Sequence, residues 1–234
     1  SSTYGITGNA TFSGAVSGIT NLSVSGTTAI GANITTTGTQ GYTGAVTLSG
    51  TGASRTLSGT TITFSSTVAG GSNALAITGN ASFGGAVTGI ANLSVSGTSA
   101  INANITTSGT QGYTGNATLG AAVTLTTTNN NIAFSGTLDS DSSTARALTV
   151  DVGTANITFT GAVGGAQGLG NISLTSTGTT TVSSTVVATS FTQNSSTGTT
   201  ALNGGSISTT GAQSYGNPVT LGATTTLASS GSGN

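Results

Sequence analysis

Tyr42, Tyr113 and Tyr215 each stand two residues after a glutamine, Gln40, Gln111 and Gln213. An aromatic ring can lie against the apolar face of a sugar while a neighbouring amide bonds its hydroxyls. The three pairs are therefore candidates for a carbohydrate contact repeated along the chain. The alternative is a scaffold corner, with Tyr covering the edge of the core and Gln joining a polar ladder. No tryptophan or acidic residue accompanies them, which favours the corner. A second candidate is "LDSDSST", Leu138 to Thr144, whose Asp139 and Asp141 could open a calcium loop with Asp151 nearby. Calcium takes six to eight oxygen ligands, usually closed by an acidic residue. None follows at the usual distance, so the segment reads as a solvated loop that Arg146 neutralises. Threonine rows in "NITTTG", "TLTTTN" and "GTTTVSS" raise a third chemistry, ordered water on a flat face, as in ice-binding proteins. Threonine also has high strand propensity and suits an exposed uncharged strand without any ligand.

Ten Asn-X-Ser/Thr sequons occur, at Asn9, Asn21, Asn33, Asn80, Asn92, Asn104, Asn116, Asn156, Asn171 and Asn194. They could carry glycans. They could instead mark corners, where Asn tolerates tight turns and stacks into amide ladders in a coiled β structure. The second reading is preferred, with Asn9, Asn21, Asn33, Asn80, Asn92, Asn104 and Asn116 as the structural ladder.

Composition excludes most catalysis. The chain has no Cys, His, Met or Trp, and its only charges are Arg55, Arg146, Asp139, Asp141 and Asp151. Without His or Lys, its many hydroxyls have no evident base to activate them. No catalytic residue and no cofactor is therefore assigned, and the chain is expected not to be an enzyme. Two isolated arginines cannot supply the clustered charge that nucleic acid requires. No apolar run reaches the roughly 18 residues of a membrane helix, so no membrane span is expected. Although 39 residues are Gly, short runs of alternating Val, Ile, Leu, Phe and Thr argue for order rather than a disordered linker.

The elements that must hold these residues are repeats. Residues 6–44 return at 77–115 with a constant offset of 71, and a third, diverged unit begins near Ile157. In that unit the offset grows from 76 at Phe83/Phe159 to 102 at Tyr113/Tyr215. The added "TTTVSSTVVATSFTQNSSTGTTA" has the same β texture, as though one whole coil had been inserted. Within each unit, runs such as "ATFSGAV", "NLSVSG" and "TITFSSTV" alternate with period two. The fold expected is all-β: a parallel β-solenoid (β-helix), right-handed, built as one continuous domain over 1–234. Its repeats are 6–76, 77–150 and 151–234, the last with one extra coil. The asparagine spacing of twelve suggests half a coil, hence coils of about 24 residues, three to a repeat, a period within the range of stacked-repeat proteins. The chain opens inside a repeat, so a segment of a longer chain or fibre is expected.

The stretches "TTGTQGYTGAVTLSG" at 36–50, "TSGTQGYTGNATLGA" at 107–121 and "TTGAQSYGNPVTLGATTTL" at 209–227 resemble a family pattern. The pattern is the recurrent TTGxQxYxGxVTLxxxxTL of repetitive bacterial surface proteins, the filamentous-haemagglutinin-like and autotransporter-like β-strand-repeat adhesins. Related repeats cover nearly the whole chain, and Asn116-Ala117 departs from the pattern in the second copy. The resemblance implies an exported, β-helical rod at the bacterial cell surface or outside the cell. Its role would be adhesion, cell–cell contact or a sheath. Its partners would be further copies of itself, end to end or side by side, together with surface glycans or other cells. The competing expectation is a binding module, through a threonine face or the periodic Gln/Tyr pairs.

Overall fold

A computed structural model describes residues 2–50, 52–142 and 144–231. The last three residues of the third repeat, 232–234, lie outside the described residues. All regular structure among them is β, in thirty short strands, and every strand pairing is parallel. No helix is present to cross a membrane among the described residues. The chain winds as a solenoid whose cross-section is a triangle. Thr3–Ile6, Ala10–Phe12 and Val16–Ile19 form the first coil, one strand on each of three faces. Asn21–Val24 then lies directly on Thr3–Ile6 and begins the second coil.

The first face continues through Thr39–Tyr42, Ser99–Ile101, Ala117–Leu119 and Leu138–Ser140 to Ser206–Thr209 and Thr226–Ser229. One of its rungs is reduced to the single residue Val163, bridging Leu138 and Val186. The second face rises from Ala10–Phe12 to Gln213–Tyr215. The third rises from Val16–Ile19 to Val219–Leu221. Ser54–Phe64 and Ala74–Phe83 each run unbroken round the corner from third to first face. Among the described residues there are twelve rungs on the first face and eleven on each of the others. At about 4.8 Å per coil, the rod is roughly 50 Å long.

The solenoid is as expected, but over most of the rod the coil is shorter than the asparagine spacing implied. Ala10 pairs Thr28 and Thr28 pairs Val46. Ser99 pairs Ala117 at the same spacing. The widest spacing is 25, from Val123 to Leu148. The physical quantum is one side of the triangle: about six residues, of which alternate ones point inward. The asparagine spacing of twelve is therefore two sides of three, not half a coil. The repeat is likewise not three coils. Between Tyr42 on the first face and Tyr113 on the third lie eleven sides. From Tyr113 to Tyr215, on the second face, lie fourteen. The difference of three sides is the extra coil of the third repeat. Eleven and fourteen each fall one short of a multiple of three, so every copy is turned by one face relative to the copy before it.

Inward side chains form columns up the axis, and one cluster of buried aliphatic and aromatic residues runs from Phe12 to Ile207. Successive rungs place Tyr42, Phe64 and Phe83 in one stack, with ring centroids 5.5 and 5.7 Å apart. Tyr113, Phe134 and Phe159 form a second stack at 4.8 and 5.6 Å. One coil alone could not offset its ordering entropy, whereas stacked coils share their buried surface. Corners are tight because glycine sits on backbone. Up the corner between the third and first faces run Gly79, Gly97, Gly115, Gly136 and Gly161, each lying against the backbone of the one below.

Candidate functional site: the Gln–Tyr corners

In the first copy Gln40 and Tyr42 share one strand and, two residues apart, both point inward. Tyr42 is 1% exposed and Gln40 is fully buried. The Tyr42 hydroxyl donates to Gln40 Oε1 at 2.9 Å. Gln40 Nε2 donates to the carbonyls of Ser58, one coil on, at 2.8 Å and of Ile34, on the preceding side, at 3.1 Å. Thr36 completes the corner by donating its hydroxyl to Gly38 O at 3.0 Å. The amide thus spends both hydrogens on backbone carbonyls of two adjacent rungs beside the bend, and the tyrosine satisfies its oxygen.

The same brace recurs in the second and third copies. Tyr113 donates to Gln111 Oε1 at 3.0 Å, and Gln111 Nε2 reaches Thr126 O and Ile105 O at 3.0 and 3.2 Å. Tyr215 donates to Gln213 Oε1 at 2.9 Å, and Gln213 Nε2 reaches Ala228 O and Ile207 O at 2.8 and 3.1 Å. Burial raises the phenol pKa at all three tyrosines, to about 12 at half-buried Tyr215 and further at Tyr42 and Tyr113. Buried rings cannot stack on a sugar, so Tyr42 and Tyr113 are corrected from periodic ligand contacts to interior braces. The three braces also lie at three different corners of the triangle, a consequence of the turn between copies.

The asparagines occupy corners as expected, but they do not stack on one another. Asn9, Asn21, Asn33, Asn80, Asn92, Asn104 and Asn116 each accept, through Oδ1, the backbone N–H of a threonine one coil on, at 2.8–3.1 Å. Two sides carry each asparagine to a different corner, so the residue above it is a threonine and no amide ladder of these seven forms. Asn156 does the same for Thr179 at 2.7 Å. Asn156 also sits on another asparagine, its N–H donating to Asn131 Oδ1 at 2.9 Å. The packing explains the Asn-to-Gly spacing of 17: a Cβ on Gly38 would collide with Asn21 Oδ1, and one on Gly97 with Asn80. Asn73 had no signal in the sequence, since it follows no period. It is fully buried and donates to Gly50 O and Gly70 O at 2.7 and 2.8 Å while accepting from Ala53 N–H at 3.1 Å.

The three aspartates do not converge on a cation. Asp139 Oδ1 accepts the N–H groups of Ala166 and Gln167 at 2.8 and 3.3 Å, tying down the loop beyond Val163. Asp141 pairs with Arg146 at 3.0 Å, and this hydrogen bond holds its carboxyl below the usual carboxylate range. Asp151 accepts from Gly153 N–H at 3.1 Å. Each carboxylate serves its own turn, and no group of acidic residues among the described residues could hold a metal ion. Arg55 is 8% exposed and donates to the carbonyls of Ser49 and Ser54. The threonine rows are divided between faces: Thr35 and Thr181 lie on the third, Thr124 and Thr126 on the second.

A flank groove of about 210 Å³ is lined by Gln167, Leu169, Val187, Thr189 and Thr210, among others, with no aromatic or charged side chain. The outward centre of the third face is small and uncharged, as in Thr56, Ala76, Ser94, Gly112 and Ala133. What this surface can do is pack against flat partners; what the interior does is hold the corners rigid. Compared with protein-family models, with curated proteins and with solved structures, the chain matches none of them.

Proposed function

We propose that this chain is a non-enzymatic structural segment of an extracellular bacterial surface fibre or adhesin. It supplies a stiff, protease-resistant rod for adhesion, cell–cell contact or a sheath. The observation that carries this reading is where the polar chemistry is spent. The Gln–Tyr pairs, the corner asparagines, Asn73 and Asp139 all bond the rod's own backbone, across coils and corners. Continuous parallel ladders on three faces resist bending, and an apolar core without a break leaves no soft joint. Only Arg55 and Arg146 offer cuts to a trypsin-like protease, and Arg55 is buried. Its partners on this reading are further coils of its own kind, stacked end to end, and surface glycans or other cells.

A threonine-face reading is less well supported. Copies that turn by one face spread any duplicated surface round the rod instead of enlarging one plane. Two measurements test the proposal. Atomic force microscopy of the isolated chain should show unbending rods of the length that eleven to twelve stacked rungs give, and antibody labelling should place the protein outside the cell. A flexible chain, or a wholly cytoplasmic location, overturns it. A thermal-hysteresis assay separates the ice-binding alternative.

A further inference from the structure

Halfway along the rod, the first face carries a groove of about 400 Å³, within the ~300–1,000 Å³ of small-molecule sites. One wall is the corner column between the third and first faces, where Thr61, Asn80, Thr98 and Asn116 follow one another from rung to rung. The floor is the outward centre of the first face, Ser82, Ala100 and Thr118. The lining crosses four rungs, so the groove runs along the rod axis for roughly 14 Å. No charged or aromatic side chain lines it.

Polar groups in this groove are only half used by the fold. The Oδ1 atoms of Asn80 and Asn116 accept the N–H groups of Thr98 and Thr137, at 2.9 and 3.1 Å. Those bonds fix the two side chains, while their Nδ2 groups have no acceptor among the described residues. The two donors stand two rungs apart, about 9.6 Å. The hydroxyls of Thr61, Ser82, Thr98 and Thr118 likewise have no partner among the described residues. The internal repeat supplies a comparison. In the first copy, 71 residues earlier, Asn80, Ser82, Thr98, Ala100, Asn116 and Thr118 correspond to Asn9, Thr11, Thr27, Ala29, Ala45 and Thr47. The one change of polarity is Asn116 for Ala45, so of these two copies only the second has both amides.

Resting on the reading of the chain as a surface rod that meets glycans, we propose that this groove binds a neutral, linear glycan laid along the rod axis. Each sugar ring offers hydroxyls at its rim and C–H groups on its faces. That chemistry matches a lining of hydroxyls, amide donors and methyl groups. Asn80 and Asn116 donate through Nδ2 to glycan oxygens, Ser82 and Thr118 exchange hydrogen bonds with its hydroxyls, and Ala100 lies under a C–H face. No lining group can pair with a carboxylate, a phosphate or an amine, which selects against charged sugars. Asp139 stands one rung beyond Thr118, but it is buried beneath the loop it caps through Ala166 and Gln167.

The test is a titration of the nitrogen-labelled full chain with cellohexaose, chitohexaose and maltohexaose, followed by proton–nitrogen correlation NMR. At least one of the three is expected to give saturable shifts at the Asn80 and Asn116 side-chain amides and at the Ser82, Ala100 and Thr118 backbone amides. Ala100→Arg, which fills the groove from an outward position, is expected to abolish those shifts. Ala29→Arg, its counterpart in the first copy, is expected to leave them unchanged. Asn116→Ala restores the residue that the first copy carries, and losing one donor should weaken binding about 2- to 12-fold. Circular dichroism confirms that each variant keeps its β signal. Absence of saturable shifts with all three glycans overturns the proposal, as do shifts that persist in Ala100→Arg or that fall equally on Asn9, Thr11 and Ala29. Straight rods by atomic force microscopy in the same preparation confine such a failure to the groove, whereas bending chains overturn the rod reading itself.

Discussion

Replacing Gly115 with alanine puts the corner packing to a direct test. A Cβ built on Gly115 would lie 2.5 Å from the carbonyl carbon of Gly97 and 2.9 Å from the nitrogen of Thr98. Carbon–carbon contacts are comfortable near 3.5–4.0 Å, so the backbone must separate by about 1 Å at this corner. The atoms in the way are main chain, so no side chain can rotate aside. Over-packing of this kind costs roughly 1–3 kcal/mol. Stretching one or two ladder bonds beside it adds about 0.5–1.5 kcal/mol each. Together these give a loss of about 1.5–6 kcal/mol for Gly115→Ala. Gly112, three residues earlier on the third face, has nothing within 4 Å of the same hypothetical Cβ. Gly112→Ala should lie within about 0.5 kcal/mol of the parent, or gain up to about 1 kcal/mol by restricting the unfolded chain. Urea unfolding followed by circular dichroism gives the global difference. Amide exchange at Ser99, Ala117 and their neighbours should show the protection lost near Gly115→Ala alone. Equal effects of the two substitutions would refute the argument that the corner is packed backbone on backbone.

Tyr113→Phe should cost about 1–3 kcal/mol by leaving Gln111 Oε1 buried and unpartnered. Combining it with Gln111→Leu should cost less than the sum of the single changes, in a double-mutant cycle read by urea unfolding. Asn73→Ala removes the fully buried amide that joins Gly50, Gly70 and Ala53, and each orphaned group costs about 1–3 kcal/mol; thermal melts should register it as one of the most damaging single changes. Alkaline pH should unfold the rod. Tyr42, Tyr113 and Tyr215 have phenol pKa values raised in the folded state by burial, so the unfolded chain loses its phenol protons first, and stability that is full below pH ~10 falls as pH rises beyond it. Tyrosinate absorbance in the near ultraviolet should therefore rise together with loss of the β signal, and replacing all three by Phe should uncouple the two. Trypsin should cut first after Arg146, in the half-exposed loop, and only slowly after Arg55, with mass spectrometry identifying fragments 1–146 and 147–234.

The alternation of apolar and polar residues makes the strands legible, and the growth of the repeat offset by one coil is readable in the sequence itself. The coil length is not, because twelve is a multiple of the six-residue side and carries no mark of which residues stack. A better signal was present in the glycines. Gly8, Gly26 and Gly44, like Gly79, Gly97 and Gly115, are spaced by 18, and the corner columns they form require backbone contact that only glycine permits. The Gln–Tyr pairs were recognisable as corner pieces, but their burial depended on knowing that both residues of the pair face the interior. The sequence reads Asp139 as part of a solvated loop; it lies instead buried in the strand Leu138–Ser140, where it caps a loop 27 residues away. That partner is set by the stacking of coils, which local sequence does not record.

The mismatch between repeat and coil makes the rod behave like an indexing head. Duplicating a unit of eleven sides lengthens it by three and two-thirds turns, and everything beyond the duplication swings round to the next facet. Inserting a whole coil, as in the third repeat, lengthens the rod and leaves the facets where they were. Growth by one route steers, growth by the other only extends. The remainder on division by three is therefore a heritable property of such a chain, and it sets the compass direction in which anything attached downstream will point.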